Sequence, residues 1–362
     1  MNRTTFTVLA TTSVALVVPV AASATMAYVT TPTNIRVQSR VMVANDDGSG
    51  ARPLARGSWA GISPDGTKVA YLANWSSTAS GSGFTASIVE LATGATTSLG
   101  TACNAPLTWA PNSMMIACQT QSASRRPPGY VTGNGLGIVQ VPASLVGVST
   151  LPVTNYIAAR GNAVDPTVAF SPDSASIAFA TRPFSDSAGF TTLYVAPLAN
   201  AAARTRVLAR AVGPVWGTPG IVAQQQRWVR WQGTRTVRGQ LWIVQPDGTG
   251  ATRLTNYRAT GLTDGPFATA WAPSGALLAG VVGGEDQSDL STISASTGAV
   301  RVLRKGYINT PVAFSADSRR ILFSTGSDGG PMSIRIIGVN GRGQRTLVKN
   351  AGTPSVSAGW NG

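Results

Sequence analysis

A short pattern returns six times along the chain and restricts it to repeated strand–turn–strand units. It reads aromatic or Ile, small residue, Pro, Asp/Asn/Ser, Gly/Ser, two variable residues, then an apolar run. The fuller copies are Ile62-Ser63-Pro64-Asp65-Gly66, Trp109-Ala110-Pro111-Asn112-Ser113, Phe170-Ser171-Pro172-Asp173-Ser174 and Trp271-Ala272-Pro273-Ser274-Gly275. Trp216-Gly217-Thr218-Pro219-Gly220 is a shortened copy, and Phe314-Ser315-Ala316-Asp317-Ser318 replaces the Pro. Pro and Asp/Gly set a tight turn between two strands. A second hairpin alternates with the first. Its strong copies carry Asp47-Gly48-Ser49-Gly50 and Asp247-Gly248-Thr249-Gly250, and weaker ones start at Ile88, Ile138, Leu193, Leu290 and Ile334. Asp-Gly between alternating apolar residues is a strong hairpin signal.

One unit therefore has four strands: a and b joined by the first turn, c and d by the second. Successive units lie about 50 residues apart between Ser63 and Ser315, the spacing of blades in a β-propeller. Met26–Val29 reads as a b strand, Val41–Leu54 as a c-d hairpin, and Pro354–Ser357 as the start of an a strand. Together the two ends make one further blade. The expected fold is all-β: a single β-propeller of four-stranded antiparallel blades, closed by N- and C-terminal strands in one blade. The count favours seven blades, with six as the alternative.

Composition agrees. Two Glu and three Lys leave too few charged helix formers for a mainly helical protein. There is no His, which removes Ser-His-Asp and Cys-His catalysis and His metal sites. Two Cys cannot build a four-cysteine zinc site or an iron–sulfur cluster.

Residues 1–24 read as a signal peptide. Arg3 is the positive segment, Phe6–Val20 the apolar one, and Ala22-Ser23-Ala24 a small-x-small cleavage site. The propeller domain is then 25–362, secreted or in the periplasm or cell envelope. No Cys follows the apolar run, so a lipid anchor is unsupported. No later stretch reaches 18 apolar residues, so the mature chain is expected to be soluble, without a transmembrane segment, and monomeric. Export makes Cys103 and Cys118 readable as a disulfide. If Trp109 pairs with Met114 across a four-residue turn, Ala105 faces Cys118 and Cys103 lies about two residues away. The alternative is two small buried hydrophobes.

The repeats resemble the TolB-like propeller family. The resemblance rests on Pro64-Asp65-Gly66 and Pro172-Asp173, each followed by a small apolar strand, and on Leu241–Thr255. It covers nearly all of residues 25–362 and implies fold more than function. The namesake is a periplasmic partner-binding protein with an α/β domain ahead of a six-bladed propeller. That domain has no counterpart in this sequence, which puts a Tol–Pal role in doubt. Similar propellers precede peptidase domains, whose triad needs His. Related oligogalacturonate lyases use His for metal binding, which this chain cannot supply.

The a-b and c-d turns share one face of such a ring, and the b-c and d-a connections share the other. The b-c connections are long and read as irregular loops: Asn74 to Ala86, Thr120 to Leu136, Thr181 to Thr192 and Gln224 to Gln240. Long loops on a rigid ring commonly carry binding, although Thr78–Gly83 is Ser/Gly-rich and fits a solvated insertion. The last loop carries Arg227, Trp228, Arg230, Trp231, Arg235 and Arg238 without an acid, and the second carries Arg125, Arg126 and Tyr130. Arg and Trp together suit anionic or glycan partners; the alternative is that the Trp rings pack between blades. Glu285, Asp286 and Asp289 are candidate calcium ligands, although three acids in one loop are ordinarily just solvated. No other cofactor is expected. Asn104, Asp165, Asp264 and Asn309 precede the Pro that opens an a strand and are candidates for the channel mouth. The alternative is Asx capping of turns.

The net charge of +14 attracts acidic surfaces, but no nucleic-acid recognition motif accompanies it and nucleic acid is not an expected partner. The reading is an exported non-catalytic binding platform for a protein, peptide or anionic envelope polymer. The alternative is an exported carbohydrate- or ester-active enzyme with a channel carboxylate or metal site, using Asp165 and Asp264.

Overall fold

The computed structural model describes residues 25–30, 39–73, 76–78, 81–83, 85–100, 103–126, 129–158, 162–183, 189–258, 265–284, 287–306, 308–326, 332–352 and 354–361. Strands and turns make up the described chain apart from one 3-10 turn at Ala201–Ala203. Residues 1–24 lie outside the described residues.

The strands pair as antiparallel four-stranded units in sequence order. The clearest is Ala211–Gly217, Gly220–Trp231, Thr234–Val244 and Thr252–Arg253. Gly265–Trp271 and Ile308–Phe314 open two more. Asn104–Trp109 and Asn162–Phe170 open two units that share one parallel pairing, Asn134 with Ala163. Arg52–Ile62 serves two units: Arg52–Arg56 pairs with Arg40–Val43, and Gly57–Ile62 with Val69–Ala73.

The opening strands touch in order. Arg52–Ile62 contacts Asn104–Trp109, which contacts Asn162–Phe170, followed by Ala211–Gly217, Gly265–Trp271 and Ile308–Phe314. The last of these contacts Ser355–Val356, which returns to Arg52–Ile62. Met26–Val29 pairs with the C-terminal strand (Met26 with Val356, Ala27 with Ser355) and on its other side with Val41–Ala44. The ends are thus joined in one sheet, which leaves only short edges.

Packing explains the repeat. Its first aromatic reaches the preceding sheet: Trp109 Nε1 donates to the Gly61 carbonyl (3.0 Å) and Trp271 Nε1 to that of Val215 (3.3 Å). A Cβ on Gly217 would sit 2.6 Å from the Trp271 ring, so only glycine leaves that ring its place. The last position of the turn has a left-handed φ, near 60° at Ser113, Ser174 and Ser318. Serine there costs conformational energy, but each hydroxyl clips two units together. It accepts an N–H from the turn before it, that of Asp65, Asn112 or Ser274. Inside the turn, the buried hydroxyls of Ser171 and Ser315 donate to Asp173 and Asp317 and hold those carboxyls below the usual range.

The core lies in slices between sheets. Ala178, Leu193 and Val207 of one sheet pack against Ile221, Ala223 and Val244 of the next. Because both faces are covered, Ile177-Ala178-Phe179-Ala180 is buried at every residue and reads as a continuous apolar run.

Two expectations need correction. Trp109 pairs with Ile116, not Met114, because the turn takes Ala110 to Met115. Thr108 then faces Ala117, and after a bulge Asn104 faces Gln119. Cys103 still reaches Cys118, and the two form a disulfide. Second, Pro does not open the a strands. Asn104, Asp165 and Asn309 already lie within strands, just before a break in pairing at Pro106, Pro166 and Pro311. Proline lacks the ladder N–H, so the strand bulges and resumes.

Candidate functional site

The Gln224–Gln240 connection is not a loop. Gly220–Trp231 and Thr234–Val244 pair without interruption from Ile221 with Val244 to Trp231 with Thr234. The turn is Gln232-Gly233, with φ of 47° and 83°, as a two-residue hairpin needs. The Thr120–Leu136 connection is likewise a ribbon, paired from Met115 with Gln140 to Arg126 with Gly129. Both corrections have one cause: strands b and c continue beyond their sheet. The signal is Gly233 between Trp228-Val229 and Thr236-Val237, residue types that favour strands.

Pairing places the basic residues in two opposed couples, Arg227 with Arg238 and Arg230 with Arg235. Like charges directly opposite each other repel. Arg235 is partly compensated by stacking on Trp228, its guanidinium 4.4 Å from the ring centroid. Trp228 is 42% exposed; its ring lies 5.4 Å from that of Phe190, over which Arg210 sits at 5.9 Å. Arg227 and Arg230 are exposed. The side chains of Trp231, Arg125, Arg126 and Tyr130 lie outside the described residues, although Arg125 and Tyr130 pair through their backbones.

At the root of the hairpin is a cavity of about 410 Å³ that includes Arg227, Arg238, Arg253 and Arg258, with Trp242 and Tyr257. None of its lining residues among those described is acidic. Gln240 ties the wall together. Its carboxamide donates to the Tyr257 carbonyl (2.7 Å) and accepts from the Tyr257 N–H and the Thr255 hydroxyl (both 2.9 Å). Arg253 Nη2 donates to Asn256 Oδ1 (3.0 Å). Arg253 ends strand d and Arg258 lies beyond it; no feature of the repeat marks either, and folding brings both to the hairpin root.

Of the channel candidates, Asn104 is half-buried, the Asn309 side chain and Asp264 lie outside the described residues, and Asp165 is committed locally. Its Oδ1 accepts the Thr167 N–H at 2.9 Å. Burial pushes the Asp165 carboxyl above its usual range, against the lowering effect of Thr167. A carboxyl raised in the fold destabilises the fold when ionised; the penalty fades as pH falls through the folded-state value and is gone below the unfolded-state value near 3.9. Asp165→Asn, which keeps the Oδ1 acceptor, is therefore expected to raise Tm at pH 7 and leave it unchanged near pH 3. Equal gains at both pH values would contradict this account. Of the calcium candidates, Glu285 and Asp286 lie outside the described residues, and Asp289 Oδ1 accepts the Gly306 N–H at 3.0 Å. Among the described residues, no helix is long and apolar enough to cross a membrane.

No family model and no curated protein matches the sequence. Solved structures do. TolB from Acinetobacter baumannii is 14% identical, with 92% of this chain and 66% of that chain covered and a TM-score of 0.52. A puromycin-hydrolyzing peptidase from Mycobacterium tuberculosis is 14% identical, covering 91% and 54%, at 0.60. The β-propeller domain of the Trilobed protease from Pyrococcus furiosus is 13% identical, covering 91% and 96%, at 0.60. This chain thus spans under two thirds of that TolB and about half of the peptidase. At these identities the likeness is one of fold: this chain has the fold of a β-propeller.

Proposed function

We propose that this chain is an exported, non-catalytic β-propeller of seven blades that binds an anionic protein, peptide or cell-envelope polymer. The circuit of opening strands supports the blade number, and the disulfide supports export. The observation that carries the function is the Gly220–Val244 hairpin. It presents four arginines and an exposed tryptophan without one acidic residue, on a strand pair extended beyond its sheet. Guanidinium groups suit carboxylate and phosphate, and the ring adds a stacking surface. The resemblance to TolB-like propellers agrees with a partner-binding role.

The test is retention of envelope material by residues 25–362, beside Arg230→Ala/Trp231→Ala, at low and high salt. The double variant is expected to lose at least about tenfold in affinity with its circular dichroism unchanged, and salt to weaken the parent. Full retention by the variant would move the site off the hairpin.

A further inference from the structure

The cavity at the hairpin root differs from the hairpin tip in shape and in chemistry. At about 410 Å³ it matches the size of small-molecule sites. Its lining combines three kinds of group. Arg227, Arg238, Arg253 and Arg258 supply positive charge, and Arg227 and Arg238 are held opposite each other by the strand register. Trp242 and Tyr257 supply aromatic surface. Gln225 and Gln226 supply amides. A bare inorganic ion would use only the first kind. An apolar ligand would bring no acceptor to a wall with four guanidinium groups.

We propose that this cavity binds an anionic sugar, a pyranose ring carrying a carboxylate or a phosphate. The oxyanion lies among the guanidinium groups, where forked donors match its geometry. The ring lies against the aromatic side chains, and its hydroxyls meet the amides. The walls are set before the ligand arrives: Gln240 fixes Thr255 and Tyr257 with three hydrogen bonds, and Asn256 holds Arg253. Preset walls reduce the entropy lost on binding. The inference deepens the platform reading and rests on it, by naming the unit of an anionic polymer that the face would hold.

The experiment is calorimetric titration of residues 25–362 with glucuronate, glucose 6-phosphate, glucose and inorganic phosphate. At least one anionic sugar is expected to bind with one-to-one stoichiometry, at least tenfold tighter than glucose or inorganic phosphate, and more weakly as salt rises. The two sugars separate a carboxylate-bearing ligand from a phosphate-bearing one. Arg253→Gln/Arg258→Gln is expected to weaken binding at least tenfold. Arg258→Gln alone changes an exposed side chain and is expected to weaken it severalfold with Tm unchanged. Equal binding of glucose, equal binding of inorganic phosphate, or unchanged binding by the double variant would each overturn the proposal. The hairpin-tip variant Arg230→Ala/Trp231→Ala separates the two readings. Sugar binding without envelope retention would sink the platform and leave the cavity site standing. Envelope retention with neither sugar bound would do the reverse.

Discussion

Replacing Trp360 with alanine is expected to lower unfolding free energy by about 3–5 kcal/mol, the usual cost of truncating a buried tryptophan. The residue is wholly buried two positions from the end of the chain. It packs among Met26 and Tyr28 of the N-terminal strand and Leu322, Ile334 and Ile336 of the last full sheet. Its Nε1 donates to the Asp46 carbonyl at 3.2 Å, and its own carbonyl accepts the Ala316 N–H at 2.8 Å. One side chain thus joins segments more than 250 residues apart in sequence. The C-terminal strand is only Ser355–Val356, and the other ties here are backbone hydrogen bonds such as Ser357 N–H to the Thr25 carbonyl and Ala358 N–H to that of Pro64, so Trp360 is the large side chain of the closure. Trp360→Ala should lower the urea midpoint and expose the chain near Met26 to protease before other sites. Trp360→Phe, which keeps an aromatic body without the donor, should recover more than half of the loss. A cost below about 1 kcal/mol for Trp360→Ala would mean that closure depends on other contacts.

The sheets were legible in the sequence because their turns are local chemistry. Pro172-Asp173-Ser174 and Asp247-Gly248 declare themselves within five residues, and each sheet follows from its turns. The shared closing sheet was legible too, since Pro354–Ser357 repeats the start of an earlier a strand. Trp360 was not, because Gly359-Trp360-Asn361-Gly362 shows no period and its burial depends on Met26 and Tyr28 at the other end of the chain. The Gly220–Val244 hairpin does not declare itself, because Gln232-Gly233 is a weaker turn signal than Asp-Gly. The serines of the repeat read as turn residues, while their clip to the adjacent turn is a contact between units. Arg258 shows the same limit: hydrogen bonds between Gln240 and Thr255 and Tyr257 bring its segment to the hairpin, and no spacing encodes that, whereas Arg253 follows from the Asp247-Gly248 turn that pairs it with Trp242.

Loss of the Cys103–Cys118 disulfide is expected to cost about 3 kcal/mol, the chain-entropy value for residues 15 apart. Both residues are buried, among Leu99, Leu107, Ile116 and Val139. The bond crosses the place where the ladder between Asn104–Trp109 and Met115–Arg126 is interrupted, after Thr108 with Ala117 and before Asn104 with Gln119. There the covalent tie does what pairing does elsewhere along the strand. Cys103→Ala/Cys118→Ala should therefore lower the urea midpoint and steepen the slope somewhat, because the unfolded chain is no longer crosslinked, and either single variant should cost nearly as much as the double. Denatured protein from an oxidising compartment should titrate no free thiol. Two free thiols in well-folded protein would instead make the pair two small buried hydrophobes. The same number bears on localisation. Domains are commonly stable by about 5–15 kcal/mol, so about 3 kcal/mol is a large share of the total. A chain held in a reducing compartment would lose that share, and one passed to an oxidising compartment would keep it. The oxidised and reduced forms should accordingly differ in Tm in the same direction as parent and double variant. A ring equally stable in both forms would remove the disulfide as a reason for export.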